Sequence, residues 1–182
     1  MPEPGIVAIE RATLGHINVR GDAGDARFAA AAVQAFGVAL PTAANTVATG
    51  PRGVAYWLGP DEWLLVTAAA DEAALASALR AALAGVHSAV TEVGGGQVVI
   101  ELRGAQVREL LAKECPLDLE APEFAPGRCA QTRLAKAAVL LRPLAGGAVE
   151  LIVRRSFSDY LWTWLSDAGP ERGFVRQAEA RR

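Results

Sequence analysis

Polar and apolar residues alternate from His16 to Arg20, the period-two pattern of a strand with one buried face. After the turn residues Gly21–Gly24 the period lengthens. Residues 28, 31, 32, 35, 36, 39 and 40 are all apolar, which predicts a helix over 25–40 ended by Pro41. Val54–Leu58 and Trp63–Val66 flank Gly59-Pro60-Asp61-Glu62 and read as a hairpin. A second helix is expected over 71–84. Its stripe is Leu75, Ala78, Leu79, Ala82 and Leu83, its first turn is acidic, and Gly85 lies just past its end.

The second half runs in the same order. His87–Val93 and Gln97–Leu102 read as strands joined by a hairpin turn at Gly94–Gly96, and a helix over 105–115 carries Val107, Leu110 and Leu111 on one face. The loop 116–127 is rich in Pro and acidic residues. Strands then follow at 129–134, 138–142 and 149–154. The last helix is expected over 156–168, with a capping-box-like start at Ser156 and Asp159 and a stripe of Phe157, Leu161, Trp164, Leu165 and Ala168. Gly169-Pro170 stops it. Val19-Arg20-Gly21 matches Leu102-Arg103-Gly104 at an offset of 83 (104 − 21), and Trp63–Val66 matches Glu150–Val153 at an offset of 87 (150 − 63). The expectation is an α+β fold of two strand-helix-strand-strand-helix units with pseudo-two-fold symmetry. They form a single globular domain over 1–170 with halves at about 14–85 and 86–169, followed by a basic tail over 171–182.

Composition narrows the function classes. Of 182 residues 52% are apolar, 38 of them Ala, and the larger apolar types still suffice for a core, so disorder is excluded. The formal charge of −2 argues against a nucleic-acid partner. No apolar run reaches the length of a membrane span. The N-terminus carries Glu3 and Glu10 and no basic region before an apolar stretch, so no secretion signal and a cytoplasmic location are expected.

Candidate chemistry is sparse. His16 and His87 both fall in expected strands without Cys, Asp or Glu at metal-ligand spacing, and Cys115 and Cys129 read as buried thiols. The glycines at 94–96 lead into a strand rather than the helix that a phosphate loop needs. No catalytic, cofactor-binding or metal-binding residue is assigned. Arg154-Arg155, ahead of the last helix, reads equally as an anion or partner site and as an exposed strand end. Tyr160 and Trp162 lie off the expected stripe. Large aromatics there point to a partner surface, the alternative being a helix buried on more than one side. Tyr160, Trp162, Arg154 and Arg155 are therefore the candidate partner-binding residues.

Four blocks in order resemble the gamma subunit family of heterotetrameric sarcosine oxidase. They are Leu58-Gly59-Pro60-Asp61-Glu62-Trp63-Leu64-Leu65, then 109–119 (ELLAKECPLDL), 124–132 (FAPGRCAQT) and 155–165 (RSFSDYLWTWL). The segment 90–94 departs from the family pattern, with Glu92 and Gly94 where Asp and Ser are expected. The resemblance implies a fold related to the folate-binding domain of aminomethyltransferases, itself a duplicated α+β unit. It also implies alpha, beta and delta subunits as partners in a complex that demethylates sarcosine oxidatively to glycine. The one-carbon unit passes to tetrahydrofolate, and FAD, FMN, NAD and zinc are carried by other subunits. The family offers no catalytic residue to carry over, so the expected role is structural. Two rivals stand beside it: an interaction module of another complex, and a stand-alone folate-binding or aminomethyltransferase-like module, which would use Glu101 or Glu150 as its pterin carboxylate.

Overall fold

A computed structural model describes residues 4–179. In chain order its elements begin with β1 (Ile6–Glu10), β2 (Leu14–Gly21), α1 (Ala26–Phe36), β3 (Val47–Gly50), β4 (Gly53–Gly59) and β5 (Glu62–Ala68). They continue with α2 (Glu72–Ala82), β6 (Ser88–Glu92), β7 (Gln97–Arg103), α3 (Val107–Leu111), β8 (Ala130–Leu134) and β9 (Ala137–Pro143). The chain closes with β10 (Val149–Arg154), α4 (Ser158–Ala168) and β11 (Phe174–Gln177). The α+β class holds. The chain divides into two compact units, one spanning Thr13–Gly95 and one built from the residues up to Ala12 with those from Gly96 onward. The boundaries therefore differ from the expected halves, because β1 belongs with the C-terminal unit.

The Thr13–Gly95 unit has a five-stranded sheet in the order β3-β4-β5-β2-β6. Ile17, Val19, Ala55, Trp63 and Leu65 project from one face into a core shared with α1 and α2. The rings of Phe28 and Trp63 pack there tilted by 37° with centroids 5.6 Å apart, and the Trp63 indole donates to Pro41 O at 2.7 Å. Asp25 caps α1 by accepting from the Arg27 amide at 2.7 Å. The helix ends at Gly37, whose φ of +88° forms a left-handed cap, four residues before the expected stop at Pro41.

The other unit has a six-stranded sheet in the order β11-β1-β7-β10-β9-β8. Ile100, Leu102, Val149, Leu151 and Val153 pack beneath Leu110, Leu111, Leu161, Trp162 and Leu165 from its helices. Within this sheet β1 is antiparallel to β7, just as β6 is antiparallel to β2 in the first unit. The expected hairpin at Gly94–Gly96 is thus corrected. The glycines form a 3-10 turn leading from one sheet to the other, since β6 and β7 have different partners.

Within the stretch read as a basic tail, Phe174–Gln177 form β11, parallel to β1 with Ile6 opposite Phe174; residues 180–182, with Arg181 and Arg182, lie outside the described residues. The internal match also shifts by one residue. Ile17 faces Leu65 and Ile100 faces Leu151, so an offset of 83 on one strand goes with 86 (151 − 65) on its partner, not 87. The single step matters because it puts Leu65 and Leu151, both fully buried, on the helix-covered face.

Candidate interaction surface

β10 ends at Arg154, opposite Gln97 of β7, and the chain passes through a 3-10 turn at Arg155–Phe157 before α4 begins. That turn displaces the helix start by two residues. Phe157 becomes the cap, no side chain bonds to it, and the expected Ser156–Asp159 capping box does not form. It also rotates the helix relative to the expected stripe. The buried residues of α4 are Leu161, Trp162 and Leu165, whereas Trp164 is half-buried and Phe157 is 39% exposed.

Trp162 is the largest correction. Expected at a solvent-facing position, it is 5% exposed and belongs to the core of its own unit. Its indole N–H donates to Glu10 Oε2 at 3.0 Å, and the Arg176 guanidinium lies 3.9 Å from its ring centroid. Arg176 also reaches the same Glu10 oxygen at 3.2 Å. The three residues come from β1, α4 and β11, so nothing local in the sequence announces the cluster.

The other three candidates keep solvent contact. Arg154 and Arg155 are exposed, and Arg155 donates to Gln97 O at 3.1 Å. Tyr160 is half-buried against the core, and its hydroxyl accepts from the Lys136 amide at 3.3 Å. That bond brings the start of α4 to the two-residue turn between β8 and β9.

Glu101 and Glu150 sit directly opposite one another on β7 and β10. Both carboxylates have arginine neighbours. Glu101 accepts from Arg103 and, at 2.6 Å, from Arg11; Glu150 lies 3.7 Å from Arg142. Burial pushes the Glu101 carboxyl up, but the two arginine hydrogen bonds outweigh it and hold the group below the usual range. Burial likewise opposes the charge of Arg11, and its bonds to Glu179 and Glu101 more than restore it. Glu179 accepts from Arg11 at 2.8 Å and from the Ala12 amide at 2.8 Å.

The histidines separate. His16 is buried in β2 opposite Val66, whereas His87 precedes β6 and is exposed. His87 lines a cleft of about 650 Å³ with Arg20, Asp22, Asp61 and Ser88, where Arg20 is already paired to Asp61 at 3.1 Å. Both cysteines are buried, and neither forms a disulfide among the described residues. Among the described residues no group of three or more His, Cys, Asp or Glu is arranged to hold a metal ion, and no helix is long and apolar enough to cross a membrane.

Two helix-backed sheets of this order define a duplicated α+β fold, and comparison with known proteins gives it a family. Residues 20–171 match the sarcosine oxidase, gamma subunit family (SoxG), and the chain belongs to that family. Among curated relatives, the sarcosine oxidase subunit gamma of Corynebacterium sp. (strain U-96) is 38% identical over 159 residues, 87% of this chain and 75% of the relative. That of Arthrobacter sp. is 35% identical over 167 residues, 91% of this chain and 81% of the relative. A chain of the heterotetrameric sarcosine oxidase from Corynebacterium sp. U-96, solved in complex with pyrrole 2-carboxylate, superposes with a TM-score of 0.86 at 32% identity. That match covers 100% of this chain and 90% of the other. The glycine cleavage system aminomethyltransferase T from Bartonella henselae shares the fold, at a TM-score of 0.65 and 14% identity over 96% of this chain and 48% of the larger protein.

Proposed function

We propose that this chain is a non-catalytic assembly subunit of a heterotetrameric sarcosine oxidase, bound to alpha, beta and delta subunits. In this reading the partners carry FAD, FMN, NAD and zinc, and the complex demethylates sarcosine to glycine while tetrahydrofolate takes the one-carbon unit. The observation that carries the reading is the full-length superposition on a chain of such a complex. Glu101 is held by Arg11 and Arg103 and Glu150 lies 3.7 Å from Arg142, so each carboxylate already has a cationic partner within its own unit, which supports a structural role. The proposed setting is the cytoplasm. Co-expression with and without this chain tests the reading: leaving it out should prevent recovery of a complete, active complex. Recovery of full sarcosine-oxidising activity from the other three subunits alone would contradict it.

A further inference from the structure

The twelve ion pairs found among the described residues employ Arg11, Arg20, Arg27, Arg80, Arg103, Arg108, Arg142, Arg172 and Arg176. Arg52 and Lys113 donate instead to backbone carbonyls, and four of the remaining cations gather at the end of the six-stranded sheet where β10 leaves and β8 turns into β9. Arg133, Lys136 and Arg154 are exposed, and none of them has an ion pair among the described residues. Arg133 faces Ala138 across the β8–β9 pair, and extending the β9–β10 register by one residue puts Arg154 on the other side of Ala138. The two arginines thus flank one small side chain in a single row, about 10 Å apart at the usual strand spacing. Segments 133–138 and 154–160 carry four cations and one carboxylate, Asp159, in a chain whose formal charge is −2. Like charges gathered this way repel unless a counter-charge covers them.

Two further features mark the same place. Phe157 is 39% exposed and follows Arg154-Arg155 by two residues. Ala135, in the β8–β9 turn, has a φ of +52°, a left-handed conformation that favours glycine, and the next residue, Lys136, is held through its amide by the Tyr160 hydroxyl. An exposed apolar ring at a sheet end that also carries cations has the composition of an interface core with a charged rim.

We infer that this end of the sheet, with Arg133, Lys136, Arg154, Arg155 and the exposed Phe157, docks an acidic segment of a partner subunit that carries an apolar side chain to cover the phenylalanine. The inference rests on the assembly role proposed above. Cations on an edge strand such as β8 also serve to prevent edge-to-edge aggregation, and for that purpose either sign of charge suffices. The sign of the charge therefore separates the two roles.

The test uses the co-expressed complex. Arg133→Glu/Arg154→Glu should reduce recovery of this chain with its partners at least tenfold, whereas Arg133→Lys/Arg154→Lys should assemble like the parent chain. Phe157→Ala should weaken assembly without changing its dependence on salt. The thermal midpoints of the Glu and Lys variants alone should match the parent, since Arg133 and Arg154 are exposed, and the midpoint of Phe157→Ala shows how much of its effect is on folding. Unchanged assembly of the Glu variant at low and high salt overturns the inference while leaving the assembly role intact. Failure of the parent chain itself to assemble removes the assembly role first. Co-purifying nucleic acid that the Glu variant loses would also overturn it, by assigning the cations to a polyanion instead.

Discussion

Trp162 donates its indole N–H to Glu10 Oε2 at 3.0 Å, joining the last helix of the chain to its first strand. With Arg176 stacked on the ring and bonded to the same carboxylate, the pair fastens three elements that span almost the whole sequence. A role in holding the fold follows from this burial.

Trp162→Ala should destabilise the isolated chain by about 3–5 kcal/mol, through lost burial, a cavity and the loss of one of the two donors to Glu10. Trp164→Ala, at a half-buried position, should cost clearly less. Denaturant unfolding of both variants checks the order. Equal losses would show that Trp164 is as much a part of the core as Trp162.

Glu101→Gln should cost about 1–3 kcal/mol, since the carboxylate is buried while its partners Arg11 and Arg103 remain partly solvated. The folded-state carboxyl lies below its ordinary value, so its stabilisation is complete above the unfolded carboxylate range. That stabilisation is lost as pH falls through the folded value. The thermal midpoint of the parent chain should therefore drop on acidification through and below the usual carboxylate range, and that of Glu101→Gln should drop less. Parallel pH profiles would remove Glu101 from the account.

Removing the chain from Phe174 onward deletes β11, the Arg176–Trp162 stack and the Glu179 bonds to Arg11 and Ala12. Amide exchange should accelerate in Ile6–Glu10 and leave the five-stranded sheet of Thr13–Gly95 unchanged. Unaltered protection of β1 would show that β7 alone holds it.

Gly53 has a φ of +137° and Gly104 a φ of +122°, and a Cβ would overlap Val66 O at the first and Gly5 O at the second. Alanine at either should destabilise by about 2 kcal/mol or more, because both the dihedral and the space forbid it. Gly95→Ala, with open space around it, should be nearly neutral. Thermal unfolding of the three variants gives the comparison, and a neutral Gly53→Ala would contradict the pairing of β4 with β5.

The pattern of apolar positions carried the central strands and helices because their stripes face cores made largely by neighbours in sequence. Leu79, Leu110 and Leu111 are fully buried where the periodicity places them. It did not reveal β1, β3 or β11. Each is only four or five residues long, and β1 and β11 find their partners across the length of the chain. The α4 stripe misled for a related reason. Aromatic residues occur on adjacent faces of that helix, and the choice between Trp162 and Trp164 is made by Glu10 and Arg176, far away in sequence. Arg154, Arg155 and Tyr160 were recognisable from composition beside a helix start, whereas Arg133 and Lys136 become their neighbours only through strand register.

Native mass spectrometry of the chain co-expressed with the alpha, beta and delta subunits of sarcosine oxidase, run beside a sarcosine oxidation assay, tests the assembly role most directly. The account predicts one species with a single copy of each subunit, activity that depends on this chain being present, and no flavin retained when the chain is isolated alone. A three-subunit complex of undiminished activity, with this chain recovered only as a free monomer, would contradict it.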